Sequence, residues 1–290
     1  MYANLAGVEI GDGFPVRIVG AINVSAESFY PGSVARGRSA LRRLACRMVE
    51  EGAAVLDIGA MSTAPYGPGA IGEAEERRRM VVAVETVRAV VPVPISADSQ
   101  RSRVAVAALA AGATIINDVS GLGADPAMAE VAAHAGGVIL MASPPGPSRA
   151  APLPLVDGLL RAALRRARAA HIAPQRLLLD PGIGFFRRTG VPWYEVDCLL
   201  LAHLTRLRRL GRPLLVGISR KSFIGKLTGR TDPSQRLHGS LSAAAIAVYN
   251  GADVIRTHDV AATLDAVRVA AAIRDTRARR QHPASDACRR

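Results

Sequence analysis

The sequence is poor in the residues on which several protein classes depend. Its 290 residues include 3 cysteines, and aromatic side chains make up only 4%. No CxxC spacing and no even-numbered cysteine framework appears, so we expect a reduced protein without a cysteine metal site. With 49% hydrophobic residues and so few aromatic ones, the core must be built from Ala, Val, Leu and Ile.

Long apolar stretches are also missing. No run reaches the roughly 18 residues that a membrane span needs. The N-terminus does not have the pattern of a secretion signal. Together with the low cysteine content, these absences predict a cytoplasmic protein with no membrane partner.

Basic residues outnumber acidic ones. The 37 Lys and Arg residues against 24 Asp and Glu residues give a formal net charge of +13. The arginines are spread over several predicted helices, and no nucleic-acid motif or interleaved aromatic platform accompanies them. We therefore expect no nucleic-acid partner. The positive field is better suited to attracting anionic phosphate substrates.

Short apolar runs typical of buried strands alternate with segments of helical periodicity. The predicted strands cover residues 16–22, 55–58, 93–97, 114–116, 138–141, 177–179, 214–218 and 254–255. The predicted helices cover residues 39–51, 73–91, 104–111, 128–135, 159–170, 195–210, 241–249 and 263–273. This α/β pattern predicts a single (β/α)8 TIM barrel over residues 1–274 and a basic, disordered tail over residues 275–290. An open doubly wound sheet is the alternative, but the GxGxxG turn that it would need after the first strand is missing.

Polar residues stand at or just past the ends of seven of the eight predicted strands. They are Asn23, Asp57, Asp98, Asn117, Asp180, Lys221, Arg256 and His258. In such barrels the ligand lies at the C-terminal face of the strands, so we expect these residues to form the active site. Asp57 is the one most suited to a structural role, such as an ion pair. A zinc cluster is the alternative, but no HxH or HExxH spacing supports it.

The chemistry of these residues indicates a ligand with two parts. Asp98, Asn117 and Asp180 supply acceptors and an amide, which suit a heterocycle with several N–H groups. Arg256 and His258 lie two residues apart, so they point to the same side of the chain and suit a phosphate.

The segment Ser219-Arg220-Lys221-Ser222 interrupts the seventh apolar run abruptly. Two adjacent cations and two hydroxyls at the C-terminal end of a strand suit an anionic or electron-rich ligand. A solvated turn is the alternative interpretation.

Ordered motifs along the chain resemble those of the dihydropteroate synthase family. They are VGAINVSAESF (19–29), LDIGAMSTAP (56–65), ADS (97–99), INDVSG (116–121), LDPGIGF (179–185), GISRKSFIG (217–225), GSLSAAAIA (239–247) and IRTHDV (255–260). The resemblance extends from about residue 16 to residue 272. The family condenses 6-hydroxymethyl-7,8-dihydropterin diphosphate with 4-aminobenzoate and releases pyrophosphate.

The resemblance implies a role for each matching residue, as well as a Mg²⁺ cofactor and a homodimer. It implies that the pterin is bound by Asp98, Asn117, Asp180, Phe185 and Lys221. It implies that the pyrophosphate is bound by Asn23, Thr63, Arg256 and His258, with Asn23 also at the metal. The arylamine side would be formed by Ser62, Thr63 and Ser222. We also predict Arg187 and Arg188 on this side, as residues that the family pattern does not include.

Three departures from the family pattern concern the loops. Ser25-Ala26-Glu27 replaces the usual Thr-Pro-Asp, and Ala142-Ser143 replaces a His-Met. In the second loop, Met61 and Ala64 replace the usual Glu and Arg. The missing Arg matters most, because in the family it helps to bind pyrophosphate and to close the arylamine site.

The segment GIGFFRRTGVPWYE (182–195) also differs from the usual pattern. It adds Arg187, Arg188, Trp193 and Tyr194 near the expected mouth of the site. These residues are either a solvated loop and helix start or a site for a larger, phosphorylated arylamine.

Three functions are therefore considered. The first is dihydropteroate synthesis. The second is the same condensation with a ribosylated aminobenzene phosphate, on the way to a methanopterin-type cofactor. The third is a methyltetrahydrofolate-binding methyltransferase domain or a catalytically silent pterin binder, against which Arg256 and His258 argue because a methyl carrier leaves no pyrophosphate.

Overall fold

The computed structural model describes residues 1–24, 37–61 and 71–281, with side chains to residue 276. Its strands are β1 (Tyr2–Leu5), β2 (Val8–Gly11), β3 (Arg17–Asn23), β4 (Val55–Gly59), β5 (Ile95–Asp98), β6 (Ile115–Asp118), β7 (Gly137–Met141), β8 (Leu177–Asp180), β9 (Leu215–Gly217) and β10 (Val254–Thr257). Its α-helices are α1 (Arg38–Glu50), α2 (Glu73–Arg88), α3 (Ser102–Ala111), α4 (Met128–Ala133), α5 (Pro152–Ala169), α6 (Trp193–Ala202), α7 (Leu204–Arg208), α8 (Ser222–Thr228), α9 (Leu237–Tyr249) and α10 (Val260–Gln281).

The strands β3 to β10 form one parallel sheet that closes on itself. Its order is β8-β7-β6-β5-β4-β3-β10-β9. The two outer strands of this order meet through a parallel bridge between Leu179 and Leu214. The Leu179 amide also donates to the Pro213 carbonyl at 3.1 Å. The predicted (β/α)8 barrel is thereby confirmed.

Two separate apolar cores follow from the two-residue period of the strands. One face of each strand packs outward against the helices, with Ile18, Leu56, Ile116, Leu140 and Val216 among its buried residues. The other face points into the barrel and forms a smaller cluster. Its strand residues are Val19, Val55, Ile115, Ile139, Leu178, Leu215 and Val254.

The lower end of the barrel is closed by an N-terminal hairpin that sequence reasoning did not predict. β1 and β2 pair antiparallel, with Leu5 opposite Val8 across the turn. Leu5 and Ile10 are each 1% exposed and join the inner cluster. A Cβ on Gly137 would lie 2.6 Å from the Leu5 side chain, so glycine at this position lets the hairpin approach the barrel wall closely.

The helices differ from the prediction mainly at their ends. α5 begins at Pro152, seven residues before the predicted start, because proline is well tolerated in the first turn of a helix. The predicted helix over 195–210 is divided at His203 into α6 and α7. The short helix α8, directly after Lys221, was not predicted.

α10 runs to Gln281, past the predicted domain boundary at residue 274. The tail beyond Gln281 lies outside the described residues. No helix among the described residues is long and apolar enough to cross a membrane.

Candidate active site

The upper half of the barrel lumen carries charged side chains where the lower half carries aliphatic ones. Every second side chain of a strand points into the barrel, so the residue two positions after an inward aliphatic one also points inward. These inward pairs are Val55 and Asp57, Ile115 and Asn117, Leu178 and Asp180, and Val254 and Arg256. The same strand register that places the lower apolar cluster therefore places the polar groups together at the C-terminal ends of the strands.

Arg256 lies at the centre of this group. Its Nε donates to Asp57 Oδ2 at 2.6 Å, and its Nη2 lies 3.3 Å from Asp98 Oδ2. Asn117 Nδ2 also donates to Asp57 Oδ2, at 3.1 Å. Asp57 is fully buried, so the structural ion pair expected of it is present, and its partner is a residue of the candidate site.

The two carboxylates beside Arg256 are not equivalent. Burial raises the pKa of Asp98 to about 7, and the nearby Asp57 charge adds to this, while the Arg256 cation opposes it. Burial alone would lower the pKa of Arg256, but the charges of Asp57 and Asp98 raise it above its usual value. Arg256 is thus a permanent cation, whereas Asp98 exchanges its proton near neutral pH.

Lys221 approaches from the segment after β9. Its Nζ donates to the carbonyl of Ile183 and lies 5.3 Å from the centroid of the Phe185 ring. Burial lowers the pKa of Lys221 to about 8, against the opposing influence of Asp180 and Asp197. Asp180 accepts from the Gly182 amide at 2.8 Å, and burial raises its pKa. Asp180, Phe185 and Lys221 therefore share one side of the lumen.

Asn23 and His258 meet where the neighbouring strands β3 and β10 end. Asn23 Nδ2 lies 3.3 Å from His258 Nε2, and His258 Nδ1 lies 3.1 Å from Ser219 Oγ. Burial lowers the pKa of His258 to about 3, and the cations Arg256, Arg220 and Lys221 add to this effect. The imidazole is therefore neutral at physiological pH and contributes hydrogen bonds rather than charge.

Arg220 is a structural residue and not part of a solvated turn. It is 6% exposed and forms a bidentate pair with Asp259 at 2.9 and 2.7 Å. Its backbone has φ of 55°, a left-handed conformation that is unusual for a residue with a side chain. Its amide donates to Ser240 Oγ at 2.8 Å. These contacts fix the turn that presents Lys221 and Ser222.

The two arginines predicted at the arylamine side have different surroundings. Arg187 lies over the Trp193 ring, 4.0 Å from its centroid, and donates to Ser222 Oγ and to the Gly184 carbonyl. Arg188 is exposed. The predicted Ser62 and Thr63 lie outside the described residues, as does Ala64.

Sequence reasoning missed one polar residue that borders the site and gave another no specific partner. The missed residue is Asp197 on α6, which accepts from the Gly184 amide at 2.6 Å. The other is Ser219, whose hydroxyl joins His258 to the turn after β9. Asp197 is 1% exposed. Its position among the apolar residues of α6 could have indicated a role, because an acid on the buried face of a helix needs a hydrogen-bond partner elsewhere in the protein.

A family model described as pterin binding enzyme matches residues 19–258. This range includes the barrel strands, except for the first two residues of β3, and every described residue of the candidate site. The chain belongs to this family.

Curated relatives and solved structures agree with this assignment. A dihydropteroate synthase from Synechocystis sp. is 36% identical over 264 residues, covering 88% of this chain and 89% of the relative. One from Neisseria meningitidis serogroup C is 40% identical over 275 residues, covering 90% and 93%. The structure of Yersinia pestis dihydropteroate synthase with a sulfonamide drug has 34% identity and a TM-score of 0.85, covering 95% of this chain and 100% of that one. The Xanthomonas albilineans enzyme with 4-aminobenzoic acid has 38% identity and a TM-score of 0.83, covering 94% and 97%.

Proposed function

We propose that this protein is a dihydropteroate synthase-type transferase that joins 6-hydroxymethyl-7,8-dihydropterin diphosphate to 4-aminobenzoate and releases pyrophosphate. The observation that carries this proposal is the arrangement around Arg256. A permanent cation lies between two buried carboxylates, with a cationic lysine and a neutral histidine close to it. Such a site suits a polar heterocycle attached to an anionic leaving group.

The pterin ring is assigned to the side of the lumen that holds Asp98, Asn117, Asp180, Phe185 and Lys221. Asp98 Oδ1 is buried without a hydrogen-bond partner among the described residues. A buried polar atom of this kind is costly unless a ligand satisfies it. The N–H groups of a pterin are donors that carboxylates can accept, and the Phe185 ring supplies an aromatic face beside them.

The diphosphate is assigned to the side that holds Asn23, Arg256 and His258, together with Thr63. The reaction breaks the bond between the pterin methylene carbon and the diphosphate oxygen, whose electron pair leaves with pyrophosphate. The amine nitrogen forms the new bond to that carbon and loses a proton. The positive charge of Arg256 stabilises the leaving group, so no nucleophilic side chain is required.

Mg²⁺ is proposed as the cofactor at this end, with Asn23 as its protein ligand. Asn23 Oδ1 lies beside Gly59, 3.4 Å from where a Cβ would stand, so the absence of a side chain there leaves room at this oxygen. An amide oxygen suits Mg²⁺, which is usually held by few protein oxygens together with substrate phosphates. When bound, the ion would supply charge neutralisation for the diphosphate.

The acceptor amine is assigned to the rim, where Ser222 begins α8. Arg187 donates to Ser222 Oγ and is held flat by Trp193, so a cation stands beside this hydroxyl. We propose that Arg187 binds the acceptor carboxylate. It would thereby replace the family's second-loop arginine, at whose position this chain has Ala64. Ser62 and Thr63 complete this proposed side, whereas Arg188 is exposed and is not assigned a contact with the acceptor.

We further propose a cytoplasmic homodimer. Four large apolar side chains on α9 and α10 are exposed, namely Ile246 (52%), Tyr249 (38%), Val269 (62%) and Ile273 (57%). An exposed patch of this kind is typical of a protein interface. Val269→Glu is expected to shift the mass measured by light scattering from dimer to monomer.

The proposed cytoplasmic location is supported by the cysteines. Cys46 and Cys198 form no disulfide, which suits a reducing compartment.

The function is tested by measuring pyrophosphate release from the pterin diphosphate with two acceptors side by side. We expect turnover with 4-aminobenzoate and none with a ribosylaminobenzene phosphate. Turnover with the phosphorylated amine alone would replace the proposed acceptor. Pterin binding without pyrophosphate release with either amine would indicate a binding protein.

A further inference from the structure

One peptide group, between Ile183 and Gly184, joins a buried acid to the lysine of the proposed pterin pocket. Its carbonyl accepts from Lys221 Nζ. Its N–H, on Gly184, donates to Asp197 Oδ1 at 2.6 Å. The two bonds use opposite sides of the same planar unit, so Lys221, the peptide and Asp197 form one hydrogen-bonded chain.

Asp197 has no basic residue on its own helix with which it could form an ion pair. It lies on α6 at 1% exposure, and its Oδ2 has no hydrogen-bond partner among the described residues. Burial raises the pKa of Asp197 to about 6, while the Gly184 N–H and the cations Lys221 and Arg187 oppose this shift. The carboxylate is therefore largely ionised at neutral pH, and an ionised carboxylate only accepts hydrogen bonds.

The local backbone does not fix the orientation of this peptide. Gly182 has φ of 74° and Gly184 has φ of 87°. Glycine adopts positive and negative φ with similar ease, so rotation of the 183–184 plane is sterically permitted at Gly184. A rotated plane would turn the carbonyl away from Lys221 and towards the Asp197 carboxylate. The acceptor-only carboxylate of Asp197 disfavours that orientation.

We propose that Asp197 is a positioning residue that acts on the pterin through Lys221. By fixing the Ile183–Gly184 peptide, it keeps the Ile183 carbonyl and the adjacent Phe185 ring against the lysine ammonium. A Cβ on Gly184 would lie 3.1 Å from Lys221 Cδ, so the lysine stem packs directly on this turn. The inference rests on the proposed function for the identity of the ligand that Lys221 contacts.

The charge of Asp197 has a second effect on the same lysine. Four ionised groups influence Lys221: Asp180 and Asp197 favour its cation, whereas Arg256 and Arg187 oppose it. Replacing Asp197 by Asn keeps an oxygen that accepts from Gly184 but removes one of the two favourable charges. The substitution therefore separates the hydrogen bond from the charge.

The test uses the full chain and the variants Asp197→Ala, Asp197→Asn and Lys221→Ala, with the double variant of Asp197→Ala and Lys221→Ala. Asp253→Asn is the matched control, since Asp253 is a buried acid (6% exposed) that pairs with Arg208 at the closed end of the barrel. Calorimetry measures the affinity for 6-hydroxymethyl-7,8-dihydropterin and, separately, for pyrophosphate. Pyrophosphate release gives the dependence of kcat/KM on pH.

We expect Asp197→Ala to weaken pterin binding about tenfold or more and to leave pyrophosphate affinity within about twofold. In the double variant the loss should be much smaller than the sum of the two single losses. Asp197→Asn should lose less pterin affinity than Asp197→Ala at neutral pH, because its oxygen still accepts from Gly184 but its NH2 group no longer disfavours the rotated peptide. The alkaline limb of kcat/KM should lie at lower pH. Asp253→Asn should lower Tm and keep pterin affinity.

Unchanged pterin affinity in Asp197→Ala would overturn the inference. The inference would also be overturned if the losses of pterin-binding free energy in Asp197→Ala and Lys221→Ala were additive, or if pterin and pyrophosphate affinity fell equally. Either result would mean that Asp197 only stabilises the fold. If Asp197→Ala does not fold, an unshifted alkaline limb in Asp197→Asn overturns it instead. Absence of pterin binding in the unsubstituted chain would refute the proposed function rather than the role of Asp197.

Discussion

The lower and upper halves of the barrel lumen are built on the same strands but have opposite energetics. In the lower half, aliphatic side chains from seven strands pack against Ala3, Leu5 and Ile10 of the hairpin. In the upper half, Asp57, Asp98 and Arg256 stand on the same inward face. On β4, β6, β8 and β10 the change from an apolar to a polar residue takes place over a single step of two residues.

The difference separates stability from function. The lower half gains free energy by removing apolar surface from water. In the upper half, Asp57 Oδ1 and Asp98 Oδ1 are buried without hydrogen-bond partners among the described residues. Buried polar atoms of this kind cost free energy unless a ligand satisfies them, so we expect substitutions in the lower half to change stability and those in the upper half to change ligand binding.

The largest effect is expected from Arg256→Ala. Two buried carboxylates would lose their common cation, which costs about 3–5 kcal/mol for a broken buried pair. We expect kcat/KM to fall about a thousandfold, with a greater loss of affinity for the pterin diphosphate than for unphosphorylated hydroxymethyl dihydropterin. Calorimetry with both ligands measures the difference. Equal losses would place Arg256 against the ring instead of the diphosphate.

Leu5→Ala tests the opposite half. Removing a buried leucine side chain typically costs about 2–5 kcal/mol. We expect the free energy of unfolding, measured with denaturant, to fall by that amount while KM and kcat stay within about twofold. A change in KM that is equivalent in free energy to the loss of stability would show that packing in the lower half also determines substrate binding in the upper half.

The pH dependence of kcat/KM reports on the upper half alone. Asp98 is ionised above its pKa of about 7, and Lys221 is protonated below its pKa of about 8. If the pterin requires both charges, kcat/KM should pass through a narrow maximum between these values and fall on either side. Lys221→Ala should remove the alkaline limb. A profile that is flat from about pH 6 to about pH 9 would contradict these roles.

The smallest effect is expected at the rim. Arg187→Ala should raise KM for 4-aminobenzoate about fivefold to tenfold, since a charge-assisted bond to the carboxylate is lost. Arg188→Ala is the matched control, because its side chain is exposed, and should change KM by less than about twofold. Aniline, which lacks the carboxylate, should respond to neither substitution. Equal responses to the two variants would remove Arg187 from the acceptor site.

The barrel and the composition of its upper lumen are readable from the sequence because both depend on local signals. Each strand is a short apolar run, and polar residues such as Asp98 and Asp180 follow directly after it. The pairing of Asp57 with Arg256 joins residues 199 positions apart, and no local pattern specifies it. For the same reason the sequence did not connect Asp197 with the turn at Gly184.

The N-terminal hairpin was missed for a different reason. Its strands β1 and β2 are four residues each, and alone they would be marginal in water. They form because Leu5 and Ile10 find the open end of a barrel that is assembled from later parts of the chain. Tertiary packing, rather than β propensity, determines this element.

The closed end of the barrel has a kinetic consequence. Because the hairpin fills one end, the part of the chain that the structure describes gives ligands access to Asp98 and Asn117 from the mouth, past Ser222 and the rim. A pterin that occupies the deeper position must therefore enter before the amine, and an amine already seated would stand in its path. We expect an ordered sequential reaction in which analogues of 4-aminobenzoate bind weakly to the empty protein and inhibit uncompetitively with respect to the pterin diphosphate.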